Sequence, residues 1–143
     1  TALRWSPDAR LTYAISTEAG ESVPGSQGKD GFRSNWNIVF VDVKTGQNLL
    51  VAVHQGRIAY TREVLMAFKD PIDLSLLKLD SSDAVKHLID NKTKPPDRVH
   101  FELVNQPSPV LRVYLDWPSR NLQITSMDEV TGEVISNWCA AVN

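Results

Sequence analysis

Ser6-Pro7-Asp8-Ala9-Arg10-Leu11-Thr12-Tyr13-Ala14-Ile15-Ser16-Thr17-Glu18-Ala19-Gly20 is the stretch on which the reading of the fold turns. A serine can cap the first free N–H groups of a helix, proline fits the first helical position, and an early aspartate suits the positive end of the helix dipole. Leu11, Ala14, Ile15 and Ala19 then recur at helical spacing, and Gly20 supplies a stop. The spacing predicts a helix over 7–19 that buries Ile15, with Trp5 stapling its start.

A similar start recurs at Ser81-Ser82-Asp83-Ala84. Ala84, Val85, Leu88 and Ile89 share one face there, while Lys86, His87 and Asp90 fall towards the other. Lys94-Pro95-Pro96 ends it, because the residue before a proline is driven away from helical backbone. This predicts a second helix over 82–92 with Leu88 buried.

Between and after these helices the pattern is that of strands. Trp36-Asn37-Ile38-Val39-Phe40-Val41 is apolar on both faces and reads as a central strand. Leu49 to Val53 and Arg57 to Val64 follow, separated by turn chemistry at Lys44-Thr45-Gly46-Gln47 and Gln55-Gly56. Val99, Phe101 and Leu103 alternate with His100 and Glu102, and Leu111, Val113, Leu115 and Trp117 with Arg112, Tyr114 and Asp116. Each is a strand with one wet face. Leu122 to Met127 and Val134 to Trp138 complete the set. Trp36, Trp117 and Trp138 are expected in or beside the core.

The two halves echo each other. Ser-x-Asp-Ala occurs at Ser6 and Ser81, Asn48-Leu49-Leu50-Val51 resembles Asn121-Leu122-Gln123-Ile124, and Gly56-Arg57-Ile58 resembles Gly132-Glu133-Val134. A rival register aligns Asp-x-x-Thr-Gly at Asp42 with the same spacing at Asp128. The fold expected is α+β, with two similar units at residues 1–66 and 67–143, each one helix packed on a small antiparallel sheet. The halves differ most over residues 20–34, which hold four of the seven glycines and so read as a mobile loop. Lys29, Phe32 and Arg33 in that loop are the candidate partner-binding residues, Phe32 and Arg33 being a suitable anchor pair.

The formal net charge is −2, and Lys and Arg are scattered singly. A nucleic-acid binder needs a basic stripe to neutralise phosphates, so no nucleic-acid partner is expected. No apolar run reaches the length of a membrane span. His54, His87 and His100 lack metal-ligand spacing, and there is no Cys-x-x-Cys. Cys139, the single cysteine, has no histidine near it in sequence to act as a base. No serine-hydrolase elbow is present, and Gly25-Ser26-Gln27-Gly28-Lys29-Asp30 lacks the spacing of a phosphate loop. Expected catalytic residues, cofactors and metals are therefore none.

Ser126-Met127-Asp128-Glu129-Val130-Thr131-Gly132-Glu133-Val134 resembles the strand-ending motif of the PepSY domain. Val51-Ala52-Val53-His54-Gln55-Gly56-Arg57-Ile58 is a weaker copy that lacks the Asp and Thr. The resemblance implies a tandem of small α+β modules outside the cytoplasm, of the bacterial lipoprotein or cell-envelope type. A lipid anchor upstream of Thr1 would go with it. It also implies a non-enzymatic binding or regulatory role towards a protein or peptide, such as modulation of a peptidase, and carries no shared catalytic residues. The partner would meet an open strand edge or the loop. The alternative is a small-ligand-binding or isomerase-like protein with a pocket between helix and curved sheet, with Tyr60, Tyr114, Asp116 and His100 as its polar groups.

Overall fold

The computed structural model describes residues 1–17, 27–65, 70–89, 95–117 and 121–141. A short helix α1 (Ala2–Trp5) precedes strands β1 (Ala9–Ser16), β2 (Trp36–Asp42), β3 (Asn48–His54) and β4 (Arg57–Val64). A 3-10 turn at Leu74–Leu76 and helix α2 (Ser81–Ile89) lead to β5 (Arg98–Asn105), β6 (Pro109–Asp116), β7 (Asn121–Asp128) and β8 (Val134–Ala141). All the strands join one antiparallel eight-stranded sheet in the order β4-β3-β2-β1-β5-β6-β7-β8. The fold is thus mainly β. It is not the α+β pair of helix-on-sheet units read from the sequence. The division expected at residues 66 and 67 falls outside the described residues.

The correction rests on 7–19. Ser6 accepts a hydrogen bond from the Asp8 N–H at 3.0 Å, which closes a turn and does not cap a helix. The chain then extends as β1. Between Leu11, opposite Phe40, and Tyr13, opposite Val39, the register slips, so Thr12 is the extra residue of a β-bulge. A bulge breaks the period of two. The buried residues of β1 are Ala9, Thr12 and Ser16, three and four apart, which is the spacing of a helix face. Thr12 is held there by its hydroxyl, which donates to the Val39 carbonyl at 3.2 Å. Ile15 is half-buried on this strand. Trp5 ends α1, and its indole N–H donates to Glu63 on β4 at 3.3 Å.

The second helix forms where it was expected, from Ser81 to Ile89; residues 90–92 lie outside the described set. Ala84 and Val85 are buried against Val99, Phe101, Leu111, Val113, Leu115 and Met127, with Trp36, Trp117 and a half-buried Leu88 at the margin. Trp36 stacks on Phe101 with ring centroids 6.4 Å apart. Trp138 departs from expectation: it lies exposed on β8.

The two Asp-x-x-Thr-Gly segments build the same turn. Asp42 Oδ1 accepts from the Lys44 and Thr45 N–H groups at 2.8 and 3.0 Å. Asp128 Oδ1 accepts from Val130 and Thr131, both at 2.8 Å. Gly46 and Gly132 take φ of +73° and +77°, where a Cβ is strained. These turns join β2 to β3 and β7 to β8.

Candidate partner-binding site

The two ends of the sheet are β4 and β8, and neither pairs with a further described strand on its outer side. An edge strand presents a row of backbone N–H and C=O groups to any extended chain that approaches. β8 reads Val-Ile-Ser-Asn-Trp-Cys-Ala-Ala, with no charge and no proline. Ile135 and Trp138 are each 56% exposed and Val134 44%. Cys139 on this strand is a free, exposed thiol.

Trp138 does not stand alone. It opposes Ile124 on β7, which opposes Tyr114 on β6, which opposes His100 on β5. Directly opposed residues share a face of the sheet. This row therefore lies on the side away from the α2-facing residues Val99, Val113 and Thr125, which alternate with it.

Beside the row sits a buried carboxylate, Glu102. It accepts from the Tyr13 hydroxyl at 2.9 Å, the Tyr114 hydroxyl at 2.6 Å and the Arg112 guanidinium at 2.9 Å. Arg112 also donates to Gln106. Burial alone would push the Glu102 carboxyl up. The hydrogen bonds from Tyr114, Arg112 and Tyr13 outweigh it and hold the group below its ordinary range. Burial and the same carboxylate push Tyr114 up to about 12 and raise Tyr13 as well. Tyr13 is on β1, so the cluster ties β1 to β5 and β6. That seam needs it: only Tyr13, Ala14 and Ile15 of β1 are in register with β5.

The loop residues singled out from sequence fall differently. Lys29 and Phe32 are exposed, Phe32 by 68%. Arg33 is buried and donates to the Thr17 carbonyl at 3.2 Å, with His100 Nδ1 at 3.2 Å from the same nitrogen. Phe32 and Arg33 thus do not present a joint surface. The described part of the loop is docked. Val99 N–H donates to Gln27 at 2.9 Å, and Ser81 Oγ to the Gly31 carbonyl at 2.7 Å. At Gly31 (φ +87°) a Cβ would collide with the Ser82 backbone, so the approach to α2 requires glycine. Residues 20–26 lie outside the described set.

Of the alternative's polar groups, His100 and Tyr114 are half-buried neighbours in the row, Asp116 is two residue pairs further along β6, and Tyr60 is on the opposite edge strand. His54 on β3 stands three strand positions from His100 on β5. A groove of about 550 Å³ runs elsewhere, lined chiefly by Leu11, Phe40, Val43, Ile72 and Leu74. Among the described residues, no group of three or more His, Cys, Asp or Glu is arranged to hold a metal ion. No helix among them is long and apolar enough to cross a membrane.

The row ending at Trp138 could not be read from sequence because it depends on which strands are neighbours. The one available signal was the charge-free run at 134–141.

No family model matches the chain, so the resemblance to PepSY domains gains no support. No curated protein matches it either. Among solved structures, the crystal structure of a putative lipoprotein from Clostridium difficile 630 is similar in fold. Its TM-score is 0.64 at 10% sequence identity, covering 96% of this chain and 86% of that one. The chain therefore shares the fold of a protein described as a lipoprotein.

Proposed function

We propose that this chain is a non-enzymatic binding or regulatory module of the cell envelope that captures an extended segment of a protein partner along β8. The observation that carries the reading is β8 itself: an eight-residue edge strand, uncharged, exposed, and flanked by the Trp138–Ile124–Tyr114 row. Backbone pairing along such an edge supplies affinity, and side-chain pockets at alternate positions supply selectivity. Trp138 and Ile124 suit an apolar side chain on the incoming strand. The likeness to a lipoprotein supports an envelope setting. A peptidase or another envelope protein is the partner class such a module would modulate.

The test is hydrogen exchange of β8 amides during titration with extended peptides that alternate apolar and polar residues, with a fluorophore on Cys139 as a second reporter. Added protection confined to β8 is expected. No change on β8 with any peptide, or protection that appears on β4 instead, overturns the reading.

The groove lined by Leu11, Phe40 and Ile72 supports a second reading, a carrier of a small apolar ligand. Its volume is in the range of ligand sites, and it lies between the sheet and residues 71–75. None of Tyr60, Tyr114, Asp116 or His100 lines it, so the support extends to binding only. Displacement of an apolar dye, blocked by Leu11→Trp, is the corresponding measurement.

A further inference from the structure

The twin turns differ at one position in a way that hydrogen bonding does not require. The residue after the turn aspartate is Val43 in the first and Glu129 in the second. Val43 is 50% exposed, whereas Glu129 is 3% exposed. An apolar residue faces water and a carboxylate is buried, the reverse of what solvation favours. The turn tolerates either, so the burial of Glu129 comes from what packs on it.

What packs on it is the connector that leads into α2. The Lys78 N–H donates to the Glu129 carbonyl at 2.9 Å, and the Leu79 N–H is directed at its carboxyl. The Glu129 N–H donates to the Pro109 carbonyl at 3.0 Å, which holds the residue against the start of β6. One carboxyl oxygen, Oε2, is buried with no hydrogen-bond partner. No ion pair to Glu129 is found among the described residues. The charges that face it are Asp80, from the connector, and Asp128, from β7. Both stay ionised: hydrogen bonds from Ser82 to Asp80, and from Thr131 and Val130 to Asp128, hold them low. Lys86 faces Asp80 and Asp83, and the Lys78 residue is exposed.

We propose that Glu129 is a proton-operated latch, which holds the connector 77–80 against the β7–β8 turn when protonated and releases it when ionised. A neutral carboxyl suits a dry site facing two carboxylates; an anion there has neither a cation nor a full set of donors. Burial, with Asp80 and Asp128 adding to it and the Leu79 N–H opposing, pushes the group from 4.5 up to about 7. The switch therefore works near neutrality. Native Glu129 keeps its proton at pH values where the unfolded chain has lost it. The stability it lends is full below 4.5 and is lost as pH rises through about 7. This inference stands apart from the binding role of β8.

The test compares the intact chain with Glu129→Gln, a neutral isostere, by amide exchange at Lys78 from pH 5 to 9 and by ¹³C titration of the Glu129 carboxyl. Between pH 5 and about 7 the protection of Lys78 in the parent should fall by up to about tenfold per pH unit relative to the variant, and it should level off above about 7, where the carboxyl is ionised in both states. Glu129→Val, which copies the first turn, should be as insensitive to pH as Glu129→Gln. A carboxyl that titrates below pH 5 overturns the latch. So does a titration near 7 with the same Lys78 profile in parent and Glu129→Gln, since the acid would then move nothing.

Discussion

β4 and β8 occupy equivalent places at the two ends of one sheet and have the same length, yet they meet water differently. β4 carries Arg57, Arg62 and Glu63, with the Arg62 guanidinium 6.0 Å from the Tyr60 ring centroid. A strand approaching β4 would have to strip water from those charges. β8 carries none, and Trp138, Ile135 and Val134 stand exposed along it. Both edges offer unpaired backbone, but only one is shielded against a partner. β4 also exposes Ile58 and Tyr60, so its charges are what set it apart, and they are why the proposed capture is assigned to β8.

The comparison holds only if both edges belong to one cooperative sheet, and the seam between β1 and β5 decides that. Glu102→Ala leaves the Tyr13 and Tyr114 hydroxyls and the Arg112 guanidinium without their shared acceptor, at an expected cost of about 3 kcal/mol. Chemical denaturation should show that loss in a single transition. Two separate transitions, one for each half, would break the comparison at its root.

A smaller effect separates the edges directly. Trp138→Lys should weaken peptide capture at least about tenfold, or about 1.4 kcal/mol. Tyr60→Lys on β4 should leave it unchanged. Both residues are half-exposed or more, so each variant should keep its folding stability within about 0.5 kcal/mol. Equal losses of capture in the two variants would mean that the edges are not distinguished by their side chains.

Acid sharpens the seam's part. The Glu102 carboxyl is held below 4.5 in the native chain, so its contribution is present above that value and is lost as pH falls through the lower native value. Tyr114→Phe removes one of the hydrogen bonds that hold it down. It should cost about 1 kcal/mol at neutral pH and less in acid, as seen in urea midpoints at pH 7 and pH 3. A cost unchanged with pH would detach the tyrosine from the carboxylate. The smallest effect is on β4: Arg62→Thr should alter stability by under about 0.5 kcal/mol while raising light scattering, because it uncovers that edge.

Seven of the eight strands were legible as runs of β-branched and aromatic residues between turn signals. β1 was not. Its apolar residues Leu11, Ala14 and Ile15 fall at helical spacing behind a Ser-Pro-Asp start, and the bulge at Thr12 breaks the alternation that marks a strand. Reading β1 as a helix split the sheet into two units, since β1 is the strand that joins them through β5. The α2 start at Ser81 was legible because its cap residues and apolar face agree. Of the loop residues, Arg33 looked like an anchor because arginine at a glycine-rich loop suggests a surface. Its buried contacts with Thr17, just past the end of β1, and with His100 on β5 come from residues distant in sequence.

The sequence by itself determined the elements whose information is local. Apolar runs and alternation placed β2 to β8, and turn residues such as Thr45-Gly46 and Thr131-Gly132 placed the reversals between them. Only the tertiary structure decided what depends on neighbours. It made β8 an edge and β3 an interior strand, gathered Tyr13, Arg112 and Tyr114 on Glu102, and buried Glu129 where its twin Val43 is exposed. The physical reason is that local propensity reports the backbone a residue prefers, while burial and charge state depend on which distant strand comes to lie beside it.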